Sequence, residues 1–154
     1  MSIQVRWAVA SAPLGEPEVV RAVEAALAHA GRPGVELDVV LVDPTLADLH
    51  ERFLGDPTPT DVIAFDLGPE GDGPRGEIYA SVERARAVAR ERGTDPSREL
   101  ALYLVHGTLH LCGHDDHDDL DRAAMREAEA CILAELGYPA DGHPHELDDD
   151  TRLG

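Results

Sequence analysis

The segment between Asp95 and Gly113 constrains the fold most, because it predicts a helix with almost no polar face. Asp95 suits the N-cap and Pro96 the first helical position, while Gly113 allows the chain to turn away at the other end. The positions between them are mainly apolar, and His106 and His110 are exceptions in the second half. We therefore expect this segment to be the central helix of the domain.

Strand-like and helix-like periodicities alternate along the rest of the chain. They predict strands over residues 3–10, 35–42, 60–66 and 77–81, and helices over residues 17–30, 44–53, 82–92 and 120–136. The last two strands are close in sequence, which predicts that they are antiparallel neighbours. The predicted fold class is α+β, with a small mixed four-stranded sheet packed with about five helices and a metal site at the end of the central helix.

Composition limits the domain organisation and the cellular setting. Residues 1–138 are predicted to form a single domain, and residues 139–154, which are acidic and nearly free of apolar side chains, a disordered tail. No apolar run approaches the length of a membrane span and the start has no signal-peptide core, so we expect a cytoplasmic protein with Cys112 and Cys131 reduced. The net charge of −18 disfavours partners that are bound through phosphate contacts alone.

The clearest chemical signal is a cluster of histidines at the end of the predicted central helix. His106 and His110 are four residues apart, so both rings project from one face of a helix, as two ligands of one ion require. Gly113 lets the chain fold back, so that His117 can complete a three-histidine site with one position open for water. Zinc suits such ligands best, while nickel, copper and other divalent ions remain open.

Other interpretations of this cluster are simpler. The histidines can be two residues on a helix face that is followed by a solvated loop. Asp115 and Asp116 either orient the ligating imidazoles or are loop and N-cap residues, and His114 is a neighbour or a substrate contact rather than a ligand. In zinc proteases with the H-E-x-x-H pattern, a Glu follows the first His as general base. Gly107 occupies that position here, which disfavours a protease of that type.

Three segments of the sequence resemble the signature of one family. His106-Gly107-x-Leu109-His110-Leu111-x-Gly113, followed by His and Asp residues, resembles the motif H-G-x-L-H-L-x-G-x-D-H of the YbeY family of bacterial endoribonucleases. The segment Thr60 to Phe65 resembles that family's T-[DN]-V-L-S-F strand, and the segment Gly76 to Ser81 its G-[DE]-I-x-I-[SC] strand. The resemblance covers roughly residues 1–138.

The resemblance implies an enzyme with one metal ion, described as zinc in the family, held by three side chains. It implies hydrolysis of single-stranded RNA in 16S rRNA 3′-end maturation and ribosome quality control, through a metal-activated water. The expected partner is an rRNA precursor, with ribosomal proteins or assembly GTPases as further partners, and neither DNA nor a membrane is expected. Thr60, Asp61 and His114 are candidates for contacts in the cleft, and strand-end capping or loop polarity is the alternative for each.

Two departures from the family pattern bear on the site. The usual third histidine falls at Asp116, and His117 follows one residue later; we favour His117 because an imidazole matches the other two ligands. Many members carry an arginine where this chain has Leu54, and the nearby Arg52 lies on nearly the opposite face of the predicted helix. Three other arginines are possible replacements: Arg75, Arg84 and Arg86.

Two alternative functions belong to other classes of protein. The chain could be a non-catalytic ribosome-assembly protein in which the metal is structural, or a metallohydrolase of small or peptide substrates.

Overall fold

The computed structural model describes residues 2–31, 36–42, 61–67, 75–114 and 118–138, and the backbone of residues 152–153. Within these residues it has five strands and four helices. They are β1 (Ser2–Ala8), α1 (Glu16–His29), β2 (Glu36–Val42), β3 (Val62–Asp66), β4 (Arg75–Ser81), α2 (Val82–Arg92), α3 (Pro96–Leu111), α4 (Asp119–Glu135) and β5 (Arg152–Leu153).

The strands form one mixed sheet in the order β1-β2-β4-β3-β5. β1, β2 and β4 are parallel, whereas β3 runs antiparallel to β4, with Val62 paired to Ala80 and Asp66 to Gly76. The α+β fold with a mixed sheet and the antiparallel pairing of the third and fourth strands are therefore confirmed. β5 adds two residues beside β3. The disordered tail expected over residues 139–154 lies outside the described residues except at these two positions, so that expectation stays a prediction.

α3 is the central helix, as predicted. Every residue from Arg98 to Leu111 is buried, because the helix packs on β3 and β4 and is surrounded by α1, α2 and α4. The helix expected over residues 44–53 lies outside the described residues, and four helices are described where about five were expected. None of the described helices has both the length and the apolar character that crossing a bilayer requires.

Two local predictions were wrong. β4 begins at Arg75, two residues before the strand predicted over residues 77–81, and Gly76 pairs with Asp66 of β3. Glycine fits this position because it has no side chain. A Cβ at Gly76 would lie 2.5 Å from the carbonyl oxygen of Phe65 and 3.0 Å from Leu111 Cδ1. The strand predicted over residues 3–10 ends at Ala8, and Trp7 within it is 42% exposed on β1, an edge strand of the sheet.

Candidate metal centre

Local signals fix both ends of α3 and so place the two histidines in its last two turns. The Asp95 carboxylate accepts a hydrogen bond from the backbone N–H of Ser97 at 2.9 Å, as an N-cap does. At the other end Gly113 has φ +96°, a conformation that favours glycine, and the N–H of His114 donates to the carbonyl of Leu109 at 2.9 Å. The predicted start and stop of this helix are therefore confirmed.

His106 and His110 lie side by side in the protein interior. They are 3% and 4% exposed, and their ring centroids are 4.6 Å apart with an angle of 80° between the ring planes. Two imidazoles this close on one helix face fit a divalent ion that prefers nitrogen ligands. The structure thus brings together the pair that the i, i+4 spacing predicted.

A carboxylate from another helix contacts the first of these histidines. Glu129 Oε2 of α4 lies 2.6 Å from His106 Nδ1, and Glu129 is only 2% exposed. Glu129 is not among the site residues predicted from the sequence. The available signal was its position among Met125, Ala128 and Ile132, since it is the acidic residue within the apolar stripe of α4 that packs into the core.

Gly107, between the two histidines, faces the sheet. A Cβ at this position would lie 3.1 Å from Ile78 Cγ2 and 3.2 Å from Val62 Cγ2, which is tighter than ordinary van der Waals contact. No room exists there for the Glu of the H-E-x-x-H pattern. The difference from the zinc proteases is therefore built into the packing of α3 on β3 and β4.

A second group of buried polar side chains includes Glu99 and Tyr103 in the first half of α3 and Asp61, which directly precedes β3. Asp61 is 3% exposed, and its Oδ1 lies 3.2 Å from Arg84 Nε of α2. Burial raises the pKa of Glu99, and the charge of Asp61 raises it further. Burial is also the main cause that raises the pKa of Tyr103, with Asp61 and Glu99 adding to it. Asp61 was a candidate cleft contact, and the structure places it inside the protein, where its carbonyl also accepts the N–H of Ser81.

The three arginines considered as replacements for the family arginine are in different places. Arg84 is paired with Asp61, and its side chain is 41% exposed. Arg86 Nη2 donates to Ser11 Oγ at 3.3 Å on the surface. Arg75 is exposed at the start of β4, where it lines a groove with Gln4 and Asp38.

A small cavity lies beside the end of α3. It has a volume of about 290 Å³ and is lined by Cys112, Gly113 and His114 together with Asp121 and Ala124 of α4. Cys112 is buried, Cys131 is exposed, and neither forms a disulfide, as expected. His114 thus lines a cavity at the end of the helix that carries the histidine pair.

Several predicted site residues lie outside the described residues. They are Leu54, Arg52, Thr60, Asp115, Asp116 and His117. Within the part of the chain that the structure describes, no three His, Cys, Asp or Glu side chains form a group able to hold a metal ion. The choice between His117 and Asp116 as third ligand therefore stays a prediction.

Comparison with known proteins gives a consistent result across most of the chain. The family profile described as Endoribonuclease YbeY matches residues 14–137. A protein named Endoribonuclease YbeY from Carboxydothermus hydrogenoformans is 37% identical over 121 residues, which are 77% of this chain and 84% of that protein. Another protein of the same name, from Desulfitobacterium hafniense, is 34% identical, and the match covers 89% of this chain and 98% of that protein.

A solved structure agrees at the level of the fold. The solution structure of TM1509 from Thermotoga maritima superposes with a TM-score of 0.61 at 26% identity, over 87% of this chain and 88% of that one. Residues 14–137, which the family profile matches, contain β2, β3, β4 and all four described helices, including the histidine pair. On these matches, the chain belongs to the Endoribonuclease YbeY family.

Proposed function

We propose that this protein is a metal-dependent endoribonuclease that cleaves single-stranded RNA. We further propose that rRNA precursors are its substrates, in 16S rRNA 3′-end maturation and ribosome quality control in the cytoplasm. The observation that carries the proposal is the buried pair of His106 and His110 in a chain whose relatives are named endoribonucleases. Ribosomal proteins and assembly GTPases remain candidate partners within the same proposal.

In this proposal His106, His110 and His117 hold the metal, which we take to be zinc because all three ligands are imidazoles. A bound zinc ion would lower the pKa of a water molecule and polarise the phosphodiester. The chain supplies the rest: α3 orients two ligands through its contact with the sheet, and burial around them excludes bulk water. Burial also strengthens any electrostatic interaction with the charge that develops on the phosphate.

The deciding experiment uses the full chain on single-stranded RNA, with and without a chelator. We expect cleavage that stops after chelation, returns when zinc is added, and is lost in His110→Ala. His29→Ala, which changes a histidine at the end of α1, is the matched control and should keep activity. Cleavage that persists in His110→Ala or in chelator would refute the mechanism.

The same samples separate the enzyme from a protein with a structural zinc. The last turns of α3 are packed on β3 and β4 by apolar contacts that involve no metal. Removal of the ion should therefore leave the circular dichroism spectrum and the cooperative unfolding transition in place. Collapse of the fold on chelation would favour the structural role instead.

A further inference from the structure

We infer that Glu129 is the positioning residue for the metal site: it accepts the Nδ1–H of His106 and so leaves Nε2 of that ring as the metal ligand. The inference rests on the proposed function, because it assigns a role toward the metal that the proposal places at His106. It goes further in naming a residue of α4, outside the histidine motif, as part of the site.

The contact has the features of a strong hydrogen bond. The distance of 2.6 Å between Glu129 Oε2 and His106 Nδ1 is short, and both side chains are almost fully buried. Hydrogen bonds to a carboxylate are shorter and roughly twice as strong as bonds between neutral groups. A carboxylate buried without a partner is strongly unfavourable, so Glu129 requires a donor, and His106 supplies one.

The protonation of the ring follows from this contact. An ionised carboxylate can only accept hydrogen bonds, so the bond to an ionised Glu129 requires a proton on Nδ1 of His106. A neutral imidazole has only one N–H, and the lone pair is then on Nε2. Metals bind the lone pair, so the bond to Glu129 selects the tautomer in which Nε2 can coordinate.

The placement of Glu129 is rigid enough for this role. The flanking side chains of α4 at Met125, Ala128, Ile132 and Leu133 are all buried in the core. The helix begins at a capped turn, where the Asp118 carboxylate accepts the N–H of Asp121 at 2.7 Å. The carboxylate therefore reaches His106 from a packed helix and not from a loop.

A plain structural role predicts something different. If Glu129 only joined α4 to α3, its removal would lower stability without changing the affinity for zinc. Two variants separate these roles: Glu129→Gln keeps an oxygen that can accept Nδ1–H, whereas Glu129→Leu removes the acceptor. Glu127→Leu, at an exposed position of the same helix, is the control.

The first measurement is ¹⁵N NMR of the histidine rings in metal-free protein at a pH of about 8, above the ordinary pKa of histidine. We expect the Nδ1–H tautomer of His106 in the wild type, Glu127→Leu and Glu129→Gln. In Glu129→Leu we expect loss of that tautomer. This signature does not depend on activity or on bound metal.

The second measurement is zinc affinity by competition with a chromophoric chelator. We expect a loss of about 10–100-fold in Glu129→Leu, a smaller loss in Glu129→Gln, and no change in Glu127→Leu. Unchanged affinity and an unchanged tautomer in Glu129→Leu would overturn the inference while the proposed function stands. Wild-type protein that binds no zinc would overturn the proposed function itself. If Glu129→Leu fails to fold, the other proteins still test the inference. It is overturned if Glu129→Gln binds zinc as tightly as the wild type and His106 of the wild type carries its proton on Nε2.

Discussion

Gly107 is a residue at which α3 lies close against the sheet beside the site. A methyl group at 107 would press on Ile78 and Val62, both fully buried. Replacement of Gly by Ala in a helix gains about 1 kcal/mol, but overpacking costs about 1–3 kcal/mol. We expect Gly107→Ala to lower the free energy of unfolding by about 1 kcal/mol, and Gly107→Glu to lower it by more than about 3 kcal/mol because a charge is buried against apolar groups.

Urea unfolding measures both changes. Ala130→Glu, at an exposed position of α4, is the control for adding a carboxylate and should unfold like the wild type. A Gly107→Glu protein of wild-type stability would contradict the close packing described between α3 and the two strands.

Glu99 makes stability depend on pH. Burial, followed by the charge of Asp61, raises its pKa from the ordinary value of 4.5, and Arg92 opposes the shift. The folded protein then holds this proton more tightly than the unfolded chain, so the contribution of Glu99 to stability is greatest below pH 4.5 and falls as pH rises toward its folded pKa. Glu99→Gln removes this loss. We expect the stability of Glu99→Gln relative to the wild type to increase between pH 4.5 and the folded pKa of Glu99.

The check is urea unfolding of both proteins at a series of pH values. All other titratable groups are common to the two proteins, so their effects cancel in the difference. A difference that stays constant with pH would show that Glu99 has the same pKa in the folded and unfolded states.

At the residue scale, sequence reasoning found what local geometry determines. His106 and His110 were predicted as a pair because the helical period alone puts them on one face. Glu129 could not be assigned in the same way, because its contact with His106 depends on how α4 docks against α3. Asp61 was a candidate cleft contact, with strand-end capping or loop polarity as the alternative. Its partner Arg84 is 23 residues away in sequence, and no local pattern predicts the pair.

At the scale of elements, the β3–β4 hairpin seats the end of α3. Gly76 of β4 lies under Leu111, which directly follows His110 in α3. A Cβ at 76 would meet the Phe65 carbonyl oxygen at 2.5 Å, and a backbone atom in a paired strand cannot move aside without breaking the ladder. We expect Gly76→Ala to lower the free energy of unfolding by about 2–3 kcal/mol, with no gain in helix propensity to offset it.

Thermal and urea unfolding test this expectation, with Glu36→Ala, at an exposed strand end of β2, as control. A Gly76→Ala protein as stable as the control would mean that the hairpin can separate from α3 at little cost. The sequence predicted this hairpin from its short connection but misplaced the start of β4, because the crowding that demands glycine comes from β3 and α3.

At the scale of the whole molecule, the net charge of −18 is the dominant property. The described exposed ion pairs, such as Arg122–Asp119 at 2.7 Å, contribute little individually. Mutual repulsion of the acidic groups opposes the compact state, and salt screens it. We expect the melting temperature to rise by about 2–4 °C on going to roughly 0.5 M NaCl, the shift that about 1 kcal/mol gives in a domain of this size.

Differential scanning calorimetry over a range of NaCl concentrations checks this. Screening should saturate once the Debye length falls to about 3–4 Å, so the melting temperature should level off. A fall in melting temperature with salt would mean that attractive ion pairs outweigh the repulsion. Composition gives the sign of the net charge. It does not distinguish RNA from other substrates, because no pattern in the sequence indicates a basic surface.

The bond between Glu129 and His106 has a consequence for regulation. It makes the docking of α4 on α3 and the occupancy of the proposed metal site two linked equilibria. By thermodynamic reciprocity, whatever holds α4 in place raises the affinity for metal, and metal in turn holds α4 in place. A partner that bound α4 more tightly in its docked position would therefore raise the affinity for metal without touching a ligand.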